Sequence, residues 1–179
     1  MGARRVVSAA LLPFLFWTMT ARAEEPVLEL AVKATYLVKF AAFVDWPADA
    51  FQTASTPLNI CIIGAPFSGL ADQAAVGQMA GQHPLMVRHI ATAGRASGCQ
   101  MLFTAGSPQQ SVDEALNATR GEPVLTVTDL PAAAARKGII NFVLQGNHVR
   151  FEIDDGEASR DRLHISSQLL ALSANASLR

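Results

Sequence analysis

Residues 138–154, GIINFVLQGNHVRFEID, leave the chain few ways to fold. Gly146-Asn147 is a two-residue signal for a tight turn between antiparallel strands. Pairing outward from it sets Gln145 against His148, Leu144 against Val149, Val143 against Arg150, Phe142 against Phe151, Asn141 against Glu152 and Ile140 against Ile153. Every second pair is apolar on both strands. The spacing predicts a hairpin with one dry face, made of Ile140, Phe142, Leu144, Val149, Phe151 and Ile153. Its wet face carries Asn141, Gln145, His148, Arg150 and Glu152, with Val143 the one apolar exception. A one-residue slip would exchange the buried and wet sets on one arm, so the register is strongly specified.

The amino terminus bears on the compartment. Arg4 and Arg5 precede an apolar run, Ala9–Trp17, and Ala21-Arg22-Ala23 has the small-x-small form of a signal-peptidase site. The run is shorter than the ~20 residues that cross a bilayer. Residues 1–23 are therefore expected to be a cleaved signal peptide, with 24–179 a single domain that works outside the cytoplasm and no lipid anchor or later membrane span. Half of the residues are hydrophobic and the net charge is −1. That balance fits a globular domain rather than disorder, and it supplies no basic surplus for a nucleic-acid partner.

Residues 27–46 repeat Leu30, Ala34, Leu37, Ala41 and Val44 at helical spacing, beside a stripe of Tyr36, Phe40 and Phe43. A helix ending before Pro47 is expected, with its aromatics in the core and Lys33 and Lys39 in water. Strands are predicted at Leu58–Ile63, Leu85–Ile90, Gln100–Thr104 and Val124–Val127. Helices are predicted at Phe67–Gln78, at Pro108–Thr119 capped by Ser107, at Leu130–Lys137 stopped by Gly138, and from Glu157 to Ser173. This order gives an α/β single-domain sandwich: a mixed β-sheet flanked by helices, with a C-terminal β-hairpin and then a helix.

Motifs for chemistry are sparse. Gly64–Gly69 lies where a strand turns into a helix, but it lacks the Lys-Ser/Thr of a phosphate loop. His83, His89, His148 and His164 are scattered, so no metal site is expected. Asp154-Asp155-Gly156-Glu157 lacks the alternating ligands of a calcium loop and suits a helix amino terminus instead. No GxSxG elbow is present. No cofactor and no catalytic residue is expected. Cys61 and Cys99 are the two cysteines. An oxidising compartment favours a disulfide between them over two buried thiols, on compartment alone.

Several stretches together resemble the YfiR family of small secreted bacterial proteins: ATYLVKFAAFVDWP at 34–47, LNICIIGAPF at 58–67, GEPVLTVTD at 121–129, and GIINFV, VRFEID and LHISSQLL in that order over 138–170. The resemblance implies a periplasmic, non-catalytic regulator. A characterised member represses a membrane diguanylate cyclase by binding its periplasmic sensor portion, and is itself sequestered by an outer-membrane lipoprotein. The resemblance also implies a homodimer and a link between repression and disulfide state. Cys61 and Cys99 match one cysteine pair of that member. Its second pair has no counterpart here, since Ala132–Val143 contains no cysteine.

The leading expectation is therefore a regulator of cyclic-di-GMP signalling without catalysis of its own. Its partner-binding surface is placed on the C-terminal region, with Leu163, Ile165 and Leu169 as apolar contacts and Arg160 and Arg162 on the rim. Packing of those apolar residues against the hairpin is the competing reading. A periplasmic small-ligand sensor, with its cleft at the carboxyl ends of the strands, is the alternative function. A hydrolase with a site assembled from distant residues is the third.

Overall fold

The computed structural model describes residues 24–53, 55–64 and 67–175; the expected signal peptide and Ala65-Pro66 of the strand-to-helix turn lie outside them. The chain begins with helix α1 (Glu24–Phe40), a 3-10 turn and strand β1 (Val44–Asp45). Then come β2 (Leu58–Ile63), α2 (Ser68–Ala75), β3 (Met79–Ala80), β4 (His83–His89), β5 (Met101–Thr104), α3 (Val112–Thr119) and β6 (Leu125–Thr128). The hairpin β7 (Ile140–Gln145) and β8 (His148–Ile153) follows, and α4 (Asp155–Arg160), β9 (His164–Ile165) and α5 (Ser167–Leu172) close the described chain.

Seven strands form one sheet in the order β3-β4-β2-β5-β6-β7-β8, and β1 pairs with β9 in a separate two-stranded sheet. Strands β4, β2, β5, β6 and β7 run parallel, while β3 and β8 are antiparallel to their neighbours. The fold is thus a mixed α/β sandwich, as the order of elements implies. One sheet face packs Leu58, Ile60, Met101, Phe103, Val127 and Phe142 against α1, α2, α4 and α5. The other packs Cys61, Ile63 and Leu102 against Ala115 of α3 and the loop at Ala93 and Cys99.

The hairpin has the expected register at all six pairs. Gly146 and Asn147 both take positive φ, 53° and 63°, the conformation that lets a two-residue turn follow the strand twist. The dry face is shorter than predicted. Ile140, Phe142, Phe151 and Ile153 are buried, but Leu144 is 56% exposed. β6 pairs with β7 only at Ile140 and Asn141, so the tip runs past its neighbour. Over the buried part, the Phe40 ring meets Phe142 at 5.9 Å and Phe151 at 5.0 Å, while Tyr36 reaches Phe151 at 5.9 Å. Aromatic pairs at such spacings add ~0.5–1.5 kcal/mol each to the burial of their area.

Several expected elements differ. The first helix stops at Phe40, and Val44–Asp45 extends as β1 because Ile165 and His164 pair with it. Lys33, placed in water by periodicity, is buried. α2 ends at Ala75, well short of Gln78. α3 begins after Ser111, whose hydroxyl and Glu114 carboxylate form a reciprocal cap, rather than after Ser107. Ser107 instead shapes the preceding turn by accepting from the amides of Gln109 and Gln110.

The alanine-rich segment 130–137 is not a helix. Asn141, 1% exposed, uses its side chain to accept from Leu130 N and donate to Leu130 O, holding that backbone out of helical geometry. Tertiary contacts here override propensity. Gly138 consequently terminates no helix. Its amide donates to Thr128 Oγ1, and a Cβ added there would lie 2.7 Å from Thr126 O.

The single C-terminal helix is also divided. Arg162, at φ 60°, ends α4: its amide donates to Ser159 O and the Leu163 amide to Ala158 O, a Schellman closure that usually employs glycine. Ser166 then caps α5 by accepting from Leu169 N.

Candidate functional site

The two halves of the expected partner surface separate. Leu163, Ile165 and Leu169 are 4%, 1% and 3% exposed and belong to the main core. The Schellman closure turns Leu163 inward, the β1–β9 pairing fixes Ile165, and the Ser166 cap aims Leu169 at the sheet. The placing of these three as surface contacts is therefore corrected: they hold the C-terminal segment down. Arg160 and Arg162 are exposed.

Each arginine has a partner. Arg160 bridges to Glu157 one helical turn earlier, with Nε at 2.9 Å from Oε2. Arg162 Nη1 lies 2.7 Å from Asp49 Oδ2, across 113 residues of sequence. These carboxylates hold both guanidinium pKa values above the ordinary arginine value. Between them Asp161 is buried, and it accepts from Gly121 N at 2.9 Å. Burial pushes its carboxyl pKa up, and that hydrogen bond opposes the shift.

Asp49 belongs to the 3-10 turn Ala48–Ala50, between Trp46 and Phe51, two residues that line an aromatic cleft sequence reading passed over. β1 lines the cleft with Val44 and Asp45, followed by Trp46, Phe51 and His83, in a volume of about 540 Å³. Each ring is fixed. Trp46 Nε1 donates to Gln100 O at 3.1 Å, the Phe51 and His83 rings stack at 3.7 Å, and His83 Nδ1 lies 2.7 Å from Thr56 O. A carbonyl only accepts, so Nδ1 of His83 carries the proton. The sequence signal was Trp-Pro followed by Phe51, but nothing local showed that His83 would stack on it.

A second cleft, about 640 Å³, is polar and runs between the 134–138 segment and the start of α4. Lys137 and Glu152 pair across it at 3.0 Å. Both clefts sit near the amino ends of the parallel strands, beside Leu58 and His83 in one case and Gly138 and Ile139 in the other. The small-ligand expectation placed its cleft at the carboxyl ends.

Cys61 and Cys99 are joined by a disulfide, with Cα atoms 5.8 Å apart. The residues are 0% and 8% exposed, so the bridge is internal to the α3 face of the sheet. Among the described residues no group of three or more histidine, cysteine or acidic side chains is arranged to hold a metal ion. No described helix is long and apolar enough to cross a membrane.

A comparison with curated proteins finds no match. A family model described as YfiR/HmsC-like matches residues 30–174. The family is regulatory rather than catalytic, its proteins are periplasmic, and membership suggests a regulator in cyclic-di-GMP signalling. The match runs from the aromatic helix through both cysteines of the disulfide and the hairpin to the C-terminal segment, and the chain belongs to the YfiR/HmsC-like family.

Proposed function

We propose that this protein is a periplasmic repressor that binds the periplasmic sensor portion of an inner-membrane diguanylate cyclase and holds it inactive. The carrying observation is the family match over residues 30–174. Binding represses only by favouring the inactive conformation over the active one. A differential of ~3 kcal/mol lowers activity about 150-fold. The rim of the contact is Arg160 and Arg162, and the aromatic cleft of Trp46 and Phe51, which flank the Arg162 partner Asp49 in sequence, supplies the apolar part that the buried leucines cannot. In this reading the protein acts as a homodimer, and an outer-membrane lipoprotein sequesters it to relieve repression.

Crosslinking of the mature chain in its native envelope, read by mass spectrometry, tests the proposal. Recovery of a membrane protein with a periplasmic sensor and a cytoplasmic cyclase domain is expected, with raised cyclic-di-GMP on deletion of the repressor. Recovery of a different receptor, with cyclic-di-GMP unchanged on deletion, would sink the cyclase assignment.

The preformed aromatic cleft favours a second reading, a periplasmic small-ligand sensor. A small aromatic compound that raises the melting temperature, with Phe51→Ala abolishing the rise, would support it. No thermal response across such a set would remove it.

A further inference from the structure

Met79 and Met86 differ from Met101. Met101 is 0% exposed inside the core, whereas Met79 and Met86 are 51% and 49% exposed. The register of β3 on β4 sets Met79 opposite Pro84, two positions before Met86 on the same strand, so both thioethers leave one sheet face. Diagonal neighbours of this kind have Cβ atoms ~7–8 Å apart, within reach of two long side chains. Across β2, Asn59 is the residue beside Met86, and its side chain turns away to donate to Gly98 O. Pro84, Met86 and Arg88 are all exposed, so the cover that α3 gives this face further along does not extend to the β3–β4 end.

We propose that Met79 and Met86 form a paired methionine oxidation site for peroxides, separate from the Cys61–Cys99 bridge. The sulfur lone pair attacks one peroxide oxygen. An S–O bond forms as the O–O bond breaks, sulfur gives up two electrons, and a proton moves to the departing oxygen, which leaves as water or an alcohol. The cysteines do not compete: both are buried and already share a disulfide. A sulfoxide at either position faces water, so the core is untouched while the apolar stripe Met79–Pro84–Met86 becomes polar. Enzymatic reduction of the sulfoxides restores the stripe, which makes the change reversible.

The test treats the full mature chain with hydrogen peroxide and follows each methionine by peptide mass spectrometry. One oxygen is expected at Met79 and at Met86 about tenfold faster than at Met101, as exposure dictates, with the melting temperature unchanged. Equal rates at all three residues, or unfolding that accompanies oxidation of the exposed pair, would overturn the proposal. The double variant Met79→Leu/Met86→Leu keeps the apolar volume and is expected to lose the fast phase. A fast phase that persists in it counts against the site. Incubation with both sulfoxide reductases is expected to return the two peptides to their original mass; sulfoxides that resist them in the folded chain would end the claim of reversibility.

Discussion

Lys33 Nζ lies 2.6 Å from Asp129 Oδ2, and Lys33 is only 3% exposed. Glu29, four residues earlier on α1, contributes a second carboxylate at 2.5 Å. Asp129→Ala leaves a buried ammonium with one counter-charge. Both carboxylates are about a third exposed, so solvent screening discounts the loss to ~1–2 kcal/mol. Lys33→Met, which removes the charge and keeps the volume, is expected to cost less in urea unfolding. An equal or larger loss for Lys33→Met would contradict this account.

The same contact gives a pH dependence. Burial pushes the Lys33 pKa down, but hydrogen bonds to Asp129 and Glu29 outweigh it and leave the pKa above its ordinary 10.5. A folded-state pKa above the unfolded one adds stability that is complete below pH 10.5 and is lost as pH rises through the raised value. As pH rises from 10.5 through the raised value the wild type is expected to lose more stability than Asp129→Ala. Parallel curves for the two proteins would refute the assignment.

The disulfide closes a separation of 38 residues, joining Cys61 of β2 to the loop that leads into its neighbour β5. On the chain-entropy model, opening it removes up to ~4 kcal/mol. Cys61→Ala/Cys99→Ala avoids burying new polar groups and is expected to lower the urea midpoint accordingly. A midpoint unchanged from the oxidised wild type would show that the bridge does not stabilise the fold.

Asn141 pins the 130–138 segment through Leu130 and Thr128. Asn141→Leu strands those groups, a loss of ~1–3 kcal/mol for each one left unsatisfied. Limited proteolysis at Arg136 or Lys137 is expected to accelerate in the variant while the hairpin stays protected. Unchanged cleavage would mean that the segment is held by something else.

Arg160→Glu with Arg162→Glu reverses exposed charge, whereas Leu163→Glu buries a new one. The arginine variant replaces two exposed ion pairs by like-charge contacts and is expected to stay folded with a small fall in melting temperature, and to weaken capture of the membrane partner. Leu163→Glu is expected to unfold, since an unpaired buried charge is strongly destabilising. Full partner capture by a folded arginine variant would remove these residues from the proposed contact.

What could be read from the chain was what repeats locally. The hairpin register and the strand Leu58–Ile63 came from alternation and burial pattern, which depend on near neighbours. Periodicity could not show that Asp129 would meet Lys33 across 96 residues and draw a lysine inside. The Ala-rich helix failed for the same kind of reason, because Asn141 competes for the Leu130 backbone from another strand. The C-terminal segment was misread because Ile165, Leu169 and Leu172 recur at helical spacing, while the Arg162 break is made by an arginine where glycine would have signalled it. The aromatic cleft joins Trp46 and Phe51 from one stretch to His83 from a distant one, so no short window of sequence contains it.

Tyr36 and Phe40 of the first helix find their ring partners on Phe142 and Phe151, and Val44 pairs with Ile165. A chain delivered amino end first therefore releases its most aromatic helix roughly a hundred residues before the surface that covers it exists. Until the hairpin arrives, that helix is a sticky, half-finished object, and holding chaperones are the natural remedy. Truncations that stop before residue 138 should accordingly aggregate rather than fold, whatever the fate of the strands already made.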